Sequence, residues 1–449
     1  MATALYATTS RERPVPRAAA ATVLQLFISC FTLTGLAAYS IAGVPLAWVG
    51  LVGFVVLAAG LILSTNRVRL VPGGGTLFLF VSWTVFAQVL NAGRWGRLMP
   101  SGATLSYHFF VLARYLDVFA FVGALYVCYW LLTEGFGEEL LRWIVRIGTI
   151  IAIVAIYIYF GQQYGLWEPP RTRIGTAGGA QILFFGYRRA LGTFREPSHL
   201  AEWLVLPLFL SFMVKGRAGR LASGIIGIAL LLTVSFGGIG SAVAGALCGL
   251  LLNNPFRPSN LKRIALAAIA LAVVAFLAQS TSVGMSGQNV YSILNVRALD
   301  VLEGGIGNTN RAYIADFVAR FPPPVIGYGL GNANIFAASK MGIELIVSFL
   351  SVYVNVAYSS GLVGLALFVI FLSQPIVRRG LYAITSDGNR SVAVLMGYIA
   401  YLFVFGAGAE ELSVSFAIIA AFMLYNPTDR EASLPGDEVG SQSGSMGST

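Results

Sequence analysis

The stretch from Arg188 to Glu202 concentrates groups that can do chemistry. It holds Arg188, Arg189 and Arg195, the carboxylates Glu196 and Glu202, and His199, one of only 2 histidines in the 449-residue chain. Guanidinium forks stay charged and bind oxyanions bidentately, so three of them close together suit phosphate. Pro197 fits the first turn of a helix, where its missing N–H costs nothing; Glu196 then falls at the cap and the helix runs through Leu204 toward Phe212. Arg195 stands beside the positive end of that helix dipole, a second reason to expect an anion. Glu196 and His199 are both able to take a proton from a hydroxyl, and their types do not choose between them. Plainer roles are open to each: Glu196 as a cap paired with Arg195, His199 as an interfacial side chain bonded to a carbonyl.

Further along, Arg311 offers another guanidinium, Tyr328 lies in Ile326-Gly327-Tyr328-Gly329-Leu330-Gly331, and Glu410 and Glu411 are adjacent carboxylates. The carboxylate pair suits sugar hydroxyls or the orientation of arginines, whereas the glycines round Tyr328 also fit a tight turn. Arg114 and Asp117 stand three residues apart in an apolar run, on one helical face; they pair with each other or turn into the interior toward a site. Cys30, Cys128 and Cys248 each lie in apolar runs and read as small buried residues. With no Cys-x-x-Cys pair, no His-Glu-x-x-His and no His/Cys cluster at ligand spacing, neither a protein-built metal site nor a cofactor is expected.

The elements that must position these groups are membrane helices. With 57% hydrophobic and 11% charged residues and a mean hydropathy of +0.77, the chain is too apolar for a soluble protein of its length. The expected fold class is an all-α polytopic membrane protein of about twelve transmembrane helices, with a large outer loop containing short helices. Spans are expected near 22–43, 46–64, 76–92, 107–132, a fifth ending near Phe160, 197–212, 221–235, 239–252, 263–279, 361–376, 391–407 and 412–425. The first is too long for the core of a cleavable signal peptide and is expected to be retained. The Gly-rich turn Phe236 to Gly240 permits a tight helix approach or a bend. Residues 344–358 are expected to lie on or dip into the outer face, since this keeps Arg378 and Arg379 inside with the other basic loops.

That arrangement gives a cytoplasmic arm at 1–20, a membrane domain at 21–426 with outer loops near 161–196 and 280–360, and a disordered cytoplasmic tail at 427–449. Basic loops flanking spans account for the net charge of +10, so no nucleic-acid partner is expected. The basic residues on the outer side are nevertheless numerous and nearly all arginine: Arg94, Arg97, Arg171, Arg173, Arg188, Arg189, Arg195, Arg297, Arg311 and Arg320, against Lys340 alone. An arginine excess there points to a diphosphate or acidic-sugar site, with lipid headgroups as the plainer contact.

Three segments carry a resemblance to a known family. Arg189-Ala-Leu-Gly192-Thr193-Phe194 followed by Glu196-Pro197-Ser198 resembles an Arg-x-x-Gly-Thr-Phe segment in its Glu-Pro-Ser form. Leu231-Leu-Thr-Val-Ser235-Phe236-Gly237-Gly238 resembles a Leu-Thr-x-Ser-Arg-Gly-Gly turn, with Phe236 in the arginine's place. Asn310-Arg311, the glycine series at 327–331 and Ser360-Gly361-Leu362-Val363-Gly364 resemble the third. Together, over about residues 185–377, these are similar to the O-antigen and exopolysaccharide polymerase and ligase superfamily, the Wzy-like and WaaL-like integral membrane glycosyltransferases. The histidine that ligases of this superfamily carry falls in register with Leu350, which favours a polymerase.

The resemblance implies metal-independent transfer of a growing glycan from undecaprenyl diphosphate onto a lipid-linked repeat unit at the periplasmic face of the bacterial inner membrane. It implies lipid-linked glycans and membrane lipids as partners, and a chain-length-regulating co-polymerase besides. In that scheme Arg189, Arg195 and Arg311, with Arg188 in support, meet the diphosphates; Glu196 or His199 is the base; Tyr328, Glu410 and Glu411 bind substrate. Ligase-type transfer to another acceptor is the alternative enzyme. A flippase for the same lipid is the alternative of another class, although transporters place polar groups at the bilayer midplane and show internal repeats.

Overall fold

The computed structural model describes residues 17–65, 71–172, 183–184, 187–252, 312–382 and 388–425. Nearly all of them are helical. In chain order the helices are α1 (Arg17–Thr34), α2 (Leu46–Thr65), α3 (Gly74–Leu90), α4 (Tyr107–Thr133), α5 (Gly137–Tyr164), α6 (Pro197–Ser211), α7 (Arg217–Leu232), α8 (Phe236–Leu252), α9 (Ala312–Arg320), α10 (Asn332–Met341), α11 (Val352–Ser359), α12 (Gly361–Tyr382), α13 (Gly388–Ala407) and α14 (Val414–Leu424). Two small antiparallel hairpins interrupt them, β1 (Ser40–Ile41) with β2 (Val44–Pro45), and β3 (Leu183–Phe184) with β4 (Tyr187–Arg188). Five helices, α1, α2, α4, α5 and α12, are long and apolar enough to cross a membrane, and α3, α8, α13 and α14 are shorter apolar helices. Their outward faces expose large apolar side chains such as Leu63, Phe78, Val89 and Ile150, as a lipid-facing surface does.

Helices stand near every expected span that falls among the described residues; the one expected at 263–279 lies outside them. The first is displaced. The apolar run to residue 43 does not stay helical: α1 ends at Thr34, and Ala42 and Gly43, with φ of 50° and 81°, turn the β1–β2 hairpin. Residues 344–358 do not cross. Their only helix, α11, has 8 residues and is about 12 Å long, well short of the roughly 30 Å hydrocarbon core.

The bundle closes through small residues. A Cβ on Gly238 of α8 would stand 2.5 Å from the Ala201 Cβ of α6, and one on Gly123 of α4 would stand 2.7 Å from the Phe54 carbonyl of α2. At the centre is α14, every residue of which is buried. Cys128 is also buried, and Cys30 faces the glycine seam of α2 at Gly50 and Gly53, as packing residues do. Because α14 is only about 16 Å long, the link at 408–413 is drawn into the bundle, with Ala409 and Leu412 buried.

Candidate active site

Four elements meet around that link. α4 presents Arg114 and Asp117 on one face, α6 presents His199 and Glu202 at the same three-residue spacing, residues 408–413 bring Glu410 and Glu411, and α10 with the strap at 342–351 covers Glu410. Arg114 donates to Glu411 and lies 3.6 Å from Glu410. Asp117 shares a hydrogen bond with Glu411, and Glu202 bonds Ser413. Ser413 is the N-cap of α14 and accepts the Phe416 N–H at 3.3 Å, so the positive end of the most buried helix faces the carboxylates.

The adjacent glutamates have different environments. Glu410 is nearly buried and accepts from Asn334 Nδ2, from Ser348 Oγ at 2.5 Å and from the Phe349 N–H at 3.3 Å, while its backbone carbonyl accepts from Asn355 Nδ2 at 2.9 Å. Glu411 is 47% exposed. Burial by the atoms crowding it raises its pKa, but the Arg114 guanidinium, the hydrogen bond with Asp117 and the charge of His199 outweigh that and hold it below the ordinary glutamate value. His199 is itself exposed, on the first turn of α6. A carboxylate kept ionised beside an accessible imidazole can orient that imidazole to take a proton.

The other expected site residues are spread around this recess. Glu196 caps α6 with Pro197 in the first turn, and the Ser198 hydroxyl donates to its carboxylate at 3.3 Å. Arg189 donates from Nε to the Thr233 carbonyl at 2.8 Å, against the C-terminal end of α7, where a cation is favourable. Its neighbours tie the segment down: the Ala190 N–H donates to Leu232 at 2.8 Å and Thr193 Oγ1 to the Gly35 carbonyl at 2.5 Å. Arg195 keeps its Nε buried with no hydrogen-bond partner among the described residues. Arg188 lies in β4 with its side chain outside the described residues, and Arg311 is outside them altogether.

Tyr328 stands in a separate aromatic cluster, stacked on Phe336 at 4.4 Å and edge-on to Trp95 at 5.4 Å. The glycines round it are required by a close backbone approach. The Tyr328 and Gly329 N–H groups donate to Tyr358 and Ser359 at 2.9 and 2.8 Å, and Gly329 and Gly331 have φ of 95° and 78°.

Arg114, Asp117 and Glu202 therefore enter the site beside His199, Glu410 and Glu411. The signal for the first two was an ionisable pair inside an apolar span, and for Glu202 its position three residues beyond His199. Asn334 and Ser348 carried no signal of their own. Fold and site together define a helical membrane protein with an ionisable recess reached from its loop end.

Residues 178–290 match the family described as WcaD colanic acid polymerase. The match spans about a quarter of the chain and supports a Wzy-like O-antigen and exopolysaccharide polymerase family. It includes Arg189, Arg195, Glu196, His199 and Glu202, whereas Arg114, Asp117, Glu410 and Glu411 lie outside it. No curated protein matches the chain.

Proposed function

We propose that the chain is a metal-independent polysaccharide polymerase that transfers a growing glycan from undecaprenyl diphosphate to one lipid-linked repeat unit at the periplasmic face of the inner membrane. The membrane domain at 21–426 is the transferring unit. The acceptor hydroxyl oxygen bonds to the anomeric carbon of the donor, the bond from that carbon to the diphosphate oxygen breaks, and the hydroxyl proton passes to a base. The observation that carries this reading is the convergence of exposed His199 with Glu411, which supplies a base where the lipid-linked sugar can reach it. Arg195, at the N-terminus of α6 with its Nε unpartnered among the described residues, fits the diphosphate that leaves. Arg189, Arg188 and Arg311 are assigned to the same anion.

Purified protein given a synthetic undecaprenyl-diphosphate repeat unit in EDTA should yield a product ladder on a gel, and His199→Gln and Glu411→Gln should abolish it. No ladder with any matched repeat unit, together with movement of that lipid across vesicles, would make the protein a flippase. Cysteines placed at 189, 311 and 410 separate the same readings, since an enzyme of one face is labelled from that face only.

A further inference from the structure

The recess contains a pairing that the transfer chemistry above does not use. Asp117 and Glu411 are both carboxyl groups and are joined by a hydrogen bond. Two carboxylates have no proton to offer each other, so such a bond exists only when the pair holds one. Arg114, three residues before Asp117 on the same face of α4, donates to Glu411 from the same side. Glu411 is thus gripped by two donors on α4 while its remaining surface opens toward α6. The grip fixes its direction, and what lies in that direction is His199.

We propose that Asp117 is a positioning residue: the proton it shares with Glu411 holds that carboxylate toward His199, and so sets the orientation of the imidazole that accepts the acceptor's proton. This rests on the transfer reading above. No atom is gained or lost in the step; the shared proton stays between Asp117 and Glu411 while the acceptor's proton goes to His199. Three other charged groups bear on the pair: Arg114 from α4, Glu410 from the 408–413 link, and His199 with Glu202 from α6. Glu410 is held by Asn334, Ser348 and Phe349, and Glu202 by Ser413, so neither is free to replace Asp117.

The assignment separates two substitutions that a packing role would treat alike. Asp117→Asn keeps a donor to Glu411 that does not titrate; Asp117→Ala removes it. Asp117→Asn should keep kcat within about threefold of wild type, and Asp117→Ala should lose about a hundredfold in kcat with KM little changed, the lower range of a general base's contribution. Wild type should lose activity at alkaline pH as the shared proton leaves and the two carboxylates repel, and Asp117→Asn should lack that alkaline limb.

A readout without turnover keeps this apart from the polymerase reading. Infrared difference spectra of the full-length protein in nanodiscs should show a protonated-carboxyl band in wild type that both Asp117→Asn and Glu411→Gln remove. If the band is present but no repeat unit is polymerised, the pairing stands and the transfer reading falls. Absence of the band from wild type overturns the proposal, as does an alkaline limb unchanged in Asp117→Asn. Should Asp117→Asn not fold, Glu411→Gln alone decides by whether the band disappears.

Discussion

Arg114 on α4 donates to Glu411 and stands 3.6 Å from Glu410, so one guanidinium joins two consecutive carboxylates that are otherwise held in opposite ways. The residues are 297 positions apart in the chain. The bond brings the short link before α14 against the face of α4, and it makes the recess an early casualty of any loss of packing between those helices.

Removing this guanidinium should destabilise the protein more than an exposed ion pair would suggest. Arg114 and Glu410 are 12% and 13% exposed, and truncating one partner of a buried pair leaves the other uncompensated at a cost of about 3–5 kcal/mol. Arg114→Ala should lower the melting temperature in detergent clearly, and Arg114→Lys should lower it less because a cation remains. Equal melting temperatures for wild type and Arg114→Ala would show that the pair contributes nothing to the fold.

Glu410 and Glu411 should separate by assay. Glu410→Ala frees Asn334, Ser348 and the Phe349 N–H, so amide exchange should rise across 342–351 and thermal stability should fall. Glu411→Ala removes a half-exposed carboxylate; its stability should stay within about 1 kcal/mol while transfer falls by about a hundredfold or more. Faster exchange across 342–351 in Glu411→Ala than in Glu410→Ala would reverse the assignment.

How much of this was legible in the sequence differs from element to element. The start of α6 at Pro197 with Glu196 as its cap, the close approach at Gly238, and the failure of residues 344–358 to cross all follow from local chemistry, and the structure has them. Local rules state what one helix does. They do not state which loop ends meet, and so Glu411 could be singled out without its partners Arg114, Asp117 and His199. Arg189 shows the reverse difficulty: its type suggests an anion, but its Nε bonds the Thr233 carbonyl at 2.8 Å, a contact no motif spells out. The end of α1 was misplaced because apolar residues past Thr34 suit a buried hairpin as well as a helix.

Glycines offer a packing test with an internal control. Gly238 and Gly240 lie two residues apart on α8, yet a Cβ on the first meets Ala201 at 2.5 Å and one on the second meets nothing within 4 Å. Gly238→Ala should destabilise by about 1–3 kcal/mol through overpacking. Gly240→Ala should be neutral or stabilising by up to about 1 kcal/mol, the ordinary gain in helix propensity. Thermal unfolding of both variants measures it, and a Gly238→Ala as stable as Gly240→Ala would mean that α6 and α8 do not approach so closely.

Glu411 should also give the protein an acid limb of stability. Its pKa is lowered from the usual 4.5 on folding, so its charged form contributes stability that is fully present above 4.5 and is lost as pH falls through the lower folded value. Protonating it from that side removes the Arg114 ion pair and its attraction to His199, leaving the guanidinium to Glu410 alone. Other carboxylates titrate in the same window, so wild type alone cannot isolate the effect. Glu411→Gln can, because it carries no charge at any pH. The melting temperature of wild type should converge on that of Glu411→Gln as pH falls from about 6 to about 3, since protonation makes the two side chains alike in charge. A constant difference across that range would mean that Glu411 is not held as an anion in the folded protein, and the link between the recess and His199 would lose its electrostatic basis.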